Sequence, residues 1–354
     1  MQVTDSVRAL ALAFQAAQAR RARLTANEVQ RLWAQLDRRD LSGSWDASVG
    51  PRIVRAVTAG QLASAAGADD YVDQVVEAEG ADSDRGGRVR PAAFAGVAAD
   101  GRGLDSLMYL SVITTKQGIG GGLSTDEALM RGLRQALQLS SSEVMQAGRS
   151  AVGSSMAGQR TIQGYVRVVQ PPACSRCIIL AGAEFGWNKG FQRHPRCDCI
   201  HLPTTLVARR QNRGSVDAES FSPTTRPGSG RAGFLDPRAY FDGLSRAEQD
   251  RVFGQVGARS IREGADLGQV VNARRGMYTV TAYGRRVAAT REGATRRGSF
   301  YRLERRRAID RGQVSASGRG FQLRTPRLMP EQIFELAESR EEAIAMLRRF
   351  GYLS

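Results

Sequence analysis

The sequence predicts a mainly α, multi-domain protein with a small zinc-stapled α+β domain at its centre. Three observations carry this expectation. Apolar residues recur at helical spacing through most of the chain, and Ser/Thr-x-x-Glu tetrads beginning at Thr25, Ser124, Ser245 and Ser339 have the form of capping boxes. A β-branched run at 164–169 interrupts that pattern. All four cysteines and both histidines lie in the stretch 174–201 that follows it.

Residues 1–158 read as a helical domain. Leu10, Leu12, Phe14 and Ala17 form an approximate helical stripe that runs into the arginines at 20–23. The tetrad at 25–28 opens a helix with Leu32, Trp33 and Leu36 on its inner side, and Asp46 is placed to cap the next, through Ile53, Val54, Val57 and Leu62. Trp33, Trp45 and these aliphatics read as core rather than as a ligand site. Residues 80–90 are polar and glycine-rich, hence a loop; 91–100 is a short helix and 104–116 another apolar segment. Ile119-Gly-Gly-Gly122 breaks the pattern. It lacks the GK[ST] ending of a phosphate loop, so no nucleotide site is read from it. Ser124 then starts a long helix to about Met156, with Leu129, Leu133, Leu137 and Val144 at helical spacing.

Residues 159–207 form the predicted metal-binding centre. A unit this small buries little apolar surface, so a metal would stand in for a core, and structural zinc is worth roughly 10–16 kcal/mol in isolated peptides. Trp187 and Phe191 are expected to cover the metal. Residues 208–235 read as a flexible linker or loop. In 236–325, a mixed and basic region, Asp236 caps a helix with Pro237 in its first turn, and Ser245 starts a helix to about Glu263. Residues 277–283 alternate like a strand, with a turn at Gly284. Residues 326–354 are a pair of short amphipathic helices that pack on the body or dock to a partner.

The chemistry of the centre follows from spacing. Cys174 and Cys177 are two residues apart, which lets a tight turn aim both sulfurs at a point about 2.3 Å away, a zinc knuckle. The second cluster holds His194, Cys197, Cys199 and His201. If 197–201 is extended, Cys197, Cys199 and His201 share a face. A tetrahedral site takes four of these six, and the favoured set is Cys174 and Cys177 with two of His194, Cys197 and Cys199. One structural zinc per chain is expected. Two disulfides are the competing reading. A thioredoxin-like redox pair does not fit, because no βαβ pattern surrounds it. A zinc deaminase lacks its HxE and PCxxC signature.

CxxC, a spacer of about 16 residues, then HPxCxC resembles the signature of phage Mu F-like minor head proteins, through Cys174, Cys177, His194, Pro195, Cys197 and Cys199. The helical run from Tyr240 to Gly254, ending near Gly264, is similar to that family's segment after the metal motif. The resemblance covers about 160–270, and the overall form looks most like minor capsid proteins of actinobacterial phages. It implies a head morphogenesis protein incorporated near the portal of the procapsid. Its partners would be portal protein and major capsid or scaffold protein, and its locations the host cytoplasm during assembly and then the virion. His201 lies outside the pattern. Some relatives are labelled capsid maturation proteases, so that activity is the enzyme alternative. A zinc-containing DNA-binding protein or nuclease is the second.

Composition adds a partner class. The formal charge is +16, with only Lys116 and Lys189 as lysines. Codon bias explains the preference for arginine but not the excess over acids. Arginine's planar donor fork suits phosphate. Residues 274–307 hold Arg274, Arg275, Arg285, Arg286, Arg291, Arg296, Arg297, Arg302, Arg305, Arg306 and Arg307 against Glu292 and Glu304, with Tyr278, Tyr283, Phe300 and Tyr301 interleaved. All of these arginines except Arg291 are singled out as contacts to double-stranded DNA, bound without sequence preference; a solvated face is the competing reading.

Other classes are disfavoured. The N-terminus does not read as a signal peptide, and no apolar run approaches the roughly 20 residues of a membrane span, so a soluble chain without a membrane partner is expected. No catalytic residue is assigned. HExxH is absent, and the serine motif around Ser155 lacks its final glycine and sits at the end of a helix.

Overall fold

The computed structural model describes residues 5–191, 197, 199–205, 235–296, 298–315 and 321–353. The protein is mainly helical with two small antiparallel sheets. The described residues fall into two compact units. The first holds 5–171 with the described part of 182–205; the second holds 172–181 with the described part of 235–353. No described helix is long and apolar enough to cross a membrane.

In the first unit α1 runs unbroken over Asp5–Trp33. The helix start expected at Thr25 is therefore a correction. No breaker precedes that tetrad, and Thr25 is buried, set against Gly60 of α3. The next helix begins at Asp40 rather than Asp46. Asp40 accepts from Gly43 N (2.8 Å) at the start of α2 (Leu41–Ser44), a π-helical turn follows at Trp45–Val49, and α3 continues over Gly50–Ala66. Asp46 lies inside that turn. α4 (Ala68–Ala78) precedes the polar loop, and 91–94 is a 3-10 turn rather than a longer helix. α5 spans Leu104–Gly120. α6 spans Thr125–Gly158 and starts, as its tetrad predicts, with Ser124 and Glu127 bonded reciprocally.

α1, α3, α5 and α6 enclose one core, with Leu32, Trp33, Trp45, Ile53, Val57, Met108 and Val144 at its centre. A second core joins the other ends of α1 and α6 to α4 and to the first sheet. There Val7, Tyr71, Val72 and Met156 meet Tyr165, Val166, Ile200 and Leu202. That sheet has the order β2-β1-β3, with β1 at Gly164–Val168, β2 at Glu184–Gly186 and β3 at Ile200–Thr204. Its apolar support therefore comes from the helices around it. Glu79 ties down the end of β3 through Thr204 Oγ1 (3.1 Å) and Thr205 N (2.6 Å).

The second unit contains α7 (Ser175–Ile179), which packs on α11 (Leu267–Ala273). α8 (Pro237–Gly243) starts at Asp236, whose carboxylate accepts from Ala239 N (2.7 Å). α9 (Arg246–Phe253) starts at Ser245 but stops at Gly254, whose φ of 77° ends it, and α10 (Gln255–Arg262) follows. The second sheet has the order β4-β5-β6, with β4 at Met277–Ala282, β5 at Arg285–Thr290 and β6 at Arg327–Leu328. α12 (Ser299–Asp310), α13 (Pro330–Leu336) and α14 (Arg340–Arg349) complete it. The linker read at 208–235 falls almost wholly outside the described residues.

Arg327 is the polar centre of this unit. It is 0% exposed. Its guanidinium donates to the carbonyls of Phe350 (2.9 Å), Glu292 (2.9 Å) and Gly351 (3.2 Å) and to Gln269 Oε1 (3.0 Å), and it lies 4.2 Å from the centroid of the Tyr352 ring. Tyr352 in turn donates to Leu328 O (2.9 Å).

Candidate metal centre and arginine-rich surface

The metal motif lies on two excursions from the first sheet. After β1 the chain reaches Pro171 and Pro172, and Cys174 then becomes the N-cap of α7, its sulfur accepting from Cys177 N (3.4 Å). Cys177 is buried on that helix. The second excursion leaves β2 and returns into β3, with Cys197 and Cys199 just before the strand. The sulfurs of Cys177, Cys197 and Cys199 all lie within 4.8 Å of one another, and all three residues are buried. None of the four cysteines is in a disulfide.

This donor set fits a metal. Four sulfurs about 2.3 Å from a tetrahedral ion stand about 3.8 Å apart, and three thiols within 4.8 Å of one another suit a soft or borderline cation such as zinc. Cys174 is not in the mutual group. It stands one helical turn from Cys177, and an N–H to sulfur bond of the kind it accepts is also open to a metal-bound thiolate. His194 lies outside the described residues.

Two arginines that the sequence reading did not single out support the site. Arg149 of α6 donates to the carbonyls of Cys197 (2.9 Å) and Cys199 (3.2 Å), fixing the path of the CxC segment. Arg167 of β1 points a guanidinium nitrogen at Cys197 Sγ (3.8 Å) and lies 4.2 Å from the Phe191 ring centroid. Both are buried. Their positive charge complements the negative charge that thiolates carry when they hold a metal. One signal was available: Arg167 is the single charge in the apolar run of β1, a strand buried on both faces.

His201 is not among the clustered ligands. It lies on β3, its ring 4.4 Å from that of Tyr165 and 4.3 Å from that of Phe191. Its carbonyl accepts from Tyr71 Oη (2.9 Å), and its Nδ1 is buried with no hydrogen-bond partner among the described residues. Burial first, then the charges of Arg149 and Arg167, push its imidazole down to about 3, so it is neutral. Of the extended run expected from 197 to 201, only Ile200 and His201 belong to the strand. Phe191 packs on the rings of Tyr165 and His201 and on the Arg167 guanidinium, while Trp187 is 47% exposed. Ser155 donates to Asp69 Oδ1 (2.6 Å) and accepts from Arg85 (3.2 Å). Those partners knit α4 to α6 and give the hydroxyl a structural role.

The arginines at 274–307 divide into two sets. Arg274 pairs with Glu331 (3.3 Å), and Arg307 pairs with Glu304 (2.8 Å) while donating to Arg349 O (2.9 Å). Arg275 and Arg305 also have partners. Arg285, Arg286, Arg296, Arg302 and Arg306 are exposed and make no ion pair among the described residues. Arg297 lies outside them. The pairing of Met277 with Thr290 carries on to Gly276 and Arg291, where Arg291 N donates to Gly276 O (3.0 Å).

Comparison of the chain with protein-family models, with curated proteins and with solved structures returned no match.

Proposed function

We propose that this chain is a structural minor head protein of a tailed phage, of the phage Mu F-like kind, stabilised by one zinc ion and joining the portal, the capsid shell or its scaffold, and packaged double-stranded DNA. The observation that carries this reading is the buried sulfur group. Three of the four cysteines that give the sequence its resemblance, one from the first half of the motif and two from the second, have their sulfurs within reach of a single ion. Cys177, Cys197 and Cys199 would hold the zinc, and Cys174 would close the set. The ion would cross-link two excursions that have few residues with which to build a core of their own. Its role is structural, since four thiolates leave no position for a water or substrate. Exposed, unpaired arginines on the second sheet and α12 supply the DNA contact.

The test is assembly. The chain is co-expressed with a portal, scaffold and coat protein set, and particles are purified. Elemental analysis of the purified chain is expected to give one zinc, and the chain is expected to travel with particles that contain portal. Particles that form with portal yet never retain the chain would remove the head-protein reading. A zinc-free protein that is folded and retained would remove the metal alone. Trimming of coat or scaffold that depends on this chain would replace the structural role with proteolysis.

A further inference from the structure

The β4–β5 hairpin has an end that the rest of its sheet leaves bare. β6 pairs with β5 only at Ala289 and Thr290. Contacts to the start of α13 run through Ala288, which donates to Gln332 Oε1 (3.0 Å) and accepts from Met329 N (3.0 Å). Val287 is the last fully buried residue. Beyond it the ribbon carries two more pairs, Thr281 with Arg286 and Ala282 with Arg285, and then the turn.

The turn is Tyr283-Gly284, with φ of 55° and 74°. Two positive φ values make the turn type whose twist matches a β-ribbon, and it normally takes Asn, Asp or Gly at its first position. Tyr283 is the one non-glycine with positive φ among the described residues. Its side chain is also 52% exposed. Packing therefore does not account for an aromatic residue held in a conformation that its Cβ disfavours.

Along the chain, the charge of the hairpin and its approach has one sign. No Asp or Glu occurs from 267 to 291, against five arginines. Strand alternation puts Met277, Thr279, Thr281 and Arg286 on one face of the hairpin, and all four are exposed. Hydroxyls and guanidiniums are the groups that bond phosphate oxygens and base edges. A two-stranded ribbon has the width that the major groove of B-DNA, about 12 Å across, admits.

We propose that the β4–β5 hairpin is an arm that enters the major groove of double-stranded DNA. Arg285 and Arg286 meet phosphates on the groove walls, and Tyr283 at the tip lies against the base edges. This rests on the DNA contact in the function proposed above, and it needs neither the metal nor the particle.

The test uses the full chain and a fluorescein-labelled random duplex, with anisotropy read across a range of sodium chloride concentrations. Replacing both Arg285 and Arg286 with Ala is expected to flatten the slope of log affinity against log salt by about 1.8, two phosphate contacts at about 0.9 each. Tyr283→Gly is expected to weaken binding on the order of fivefold and leave the slope unchanged. Glycine relieves the backbone at that position, so its melting temperature should match or exceed the parent's. Arg302→Ala with Arg306→Ala on α12 is the comparator. If only the α12 variant loses affinity, the DNA contact stands and the arm is refuted. If the unaltered chain binds no duplex, both fall. Tighter hairpin-dependent binding of single strands, or of poly-L-glutamate, would refute a groove-binding arm.

Discussion

Arg327→Met should unfold the second unit selectively. The guanidinium makes four hydrogen bonds, three of them to main-chain carbonyls, and rests on the Tyr352 ring. Bonds from a charged donor are worth about 1.5–3 kcal/mol each, so four amount to about 6–12 kcal/mol gross. Methionine also removes the cost of burying a cation, which is several kcal/mol. The net loss is about 3–5 kcal/mol, enough to lower the melting temperature of a domain this size by on the order of 10–20 °C. Arg327→Lys keeps the charge, but a single ammonium cannot span four acceptors in the geometry of a planar fork, so it should recover only part of the loss. The tryptophans allow the two units to be read apart. Trp33, Trp45 and Trp187 all lie in the first unit. Far-UV circular dichroism should show an early transition in the variant while tryptophan fluorescence melts as in the parent. A variant within 1 kcal/mol of the parent would refute the accounting, and a fluorescence transition that moves equally would refute its confinement to the second unit.

Three further outcomes follow from the geometry. With cobalt in place of zinc, Cys177→Ser, Cys197→Ser and Cys199→Ser should each abolish tight binding; Cys174→Ser should lose sulfur-to-cobalt charge-transfer intensity while His194→Ala keeps it, and the reverse would give the fourth position to His194. Gly60→Ala should cost the first unit about 1–3 kcal/mol by tryptophan fluorescence, because the added carbon would meet Val144 Cγ2 at 2.8 Å and Thr25 Cβ at 3.3 Å; an unchanged melt would show that α1 and α3 can separate freely. Above pH 10 the fold should weaken steadily. Burial raises the phenols of Tyr71 and Tyr165 and pushes that of Tyr352 up to about 12, so the folded state holds protons that the unfolded chain releases near 10. The stability is fully present below pH 10 and is lost as pH rises through the folded values; Tyr352→Phe should shallow the alkaline limb, and an unchanged limb would remove Tyr352 as a source.

What the sequence disclosed depended on how local the chemistry was. Ser124, Ser245, Ser339 and Asp236 were legible as helix starts because a cap is made within four residues of itself. The tetrad at Thr25 has the same letters and no cap. Its meaning comes from Gly60, thirty-five positions away, and from the absence of any breaker before it. β5 was missed because two arginines open it and small residues follow, which gives a weak alternation. In the metal motif, the gathering of cysteines was readable from spacing, but the identity of the clustered sulfurs was set by where α7 and β3 leave their chain ends.

Arginine was the hardest residue to read, and the reason is physical. A composition this rich in arginine invites one explanation for all of it, yet the protein uses the side chain in two opposite ways. Arg149, Arg167 and Arg327 are buried. Arg149 joins two main-chain carbonyls and Arg327 three, while Arg167 meets a cysteine sulfur and an aromatic ring. Arg285, Arg286, Arg302 and Arg306 face solvent and hold their donors outward. Five N–H groups on a planar, always-charged head serve either purpose, so residue type does not discriminate. The buried arginines adjoin buried apolar residues, Val166 and Val168 for one and Leu328 for another, but so does outward Arg286, next to Val287, so only the three-dimensional partners discriminate. The outward ones come in pairs, one at a turn and one along an exposed helix face. Net charge therefore overstates the surface available to a polyanion. The hairpin, Arg296 and α12, rather than the whole run from 274 to 307, are where a phosphate backbone would find unpaired donors.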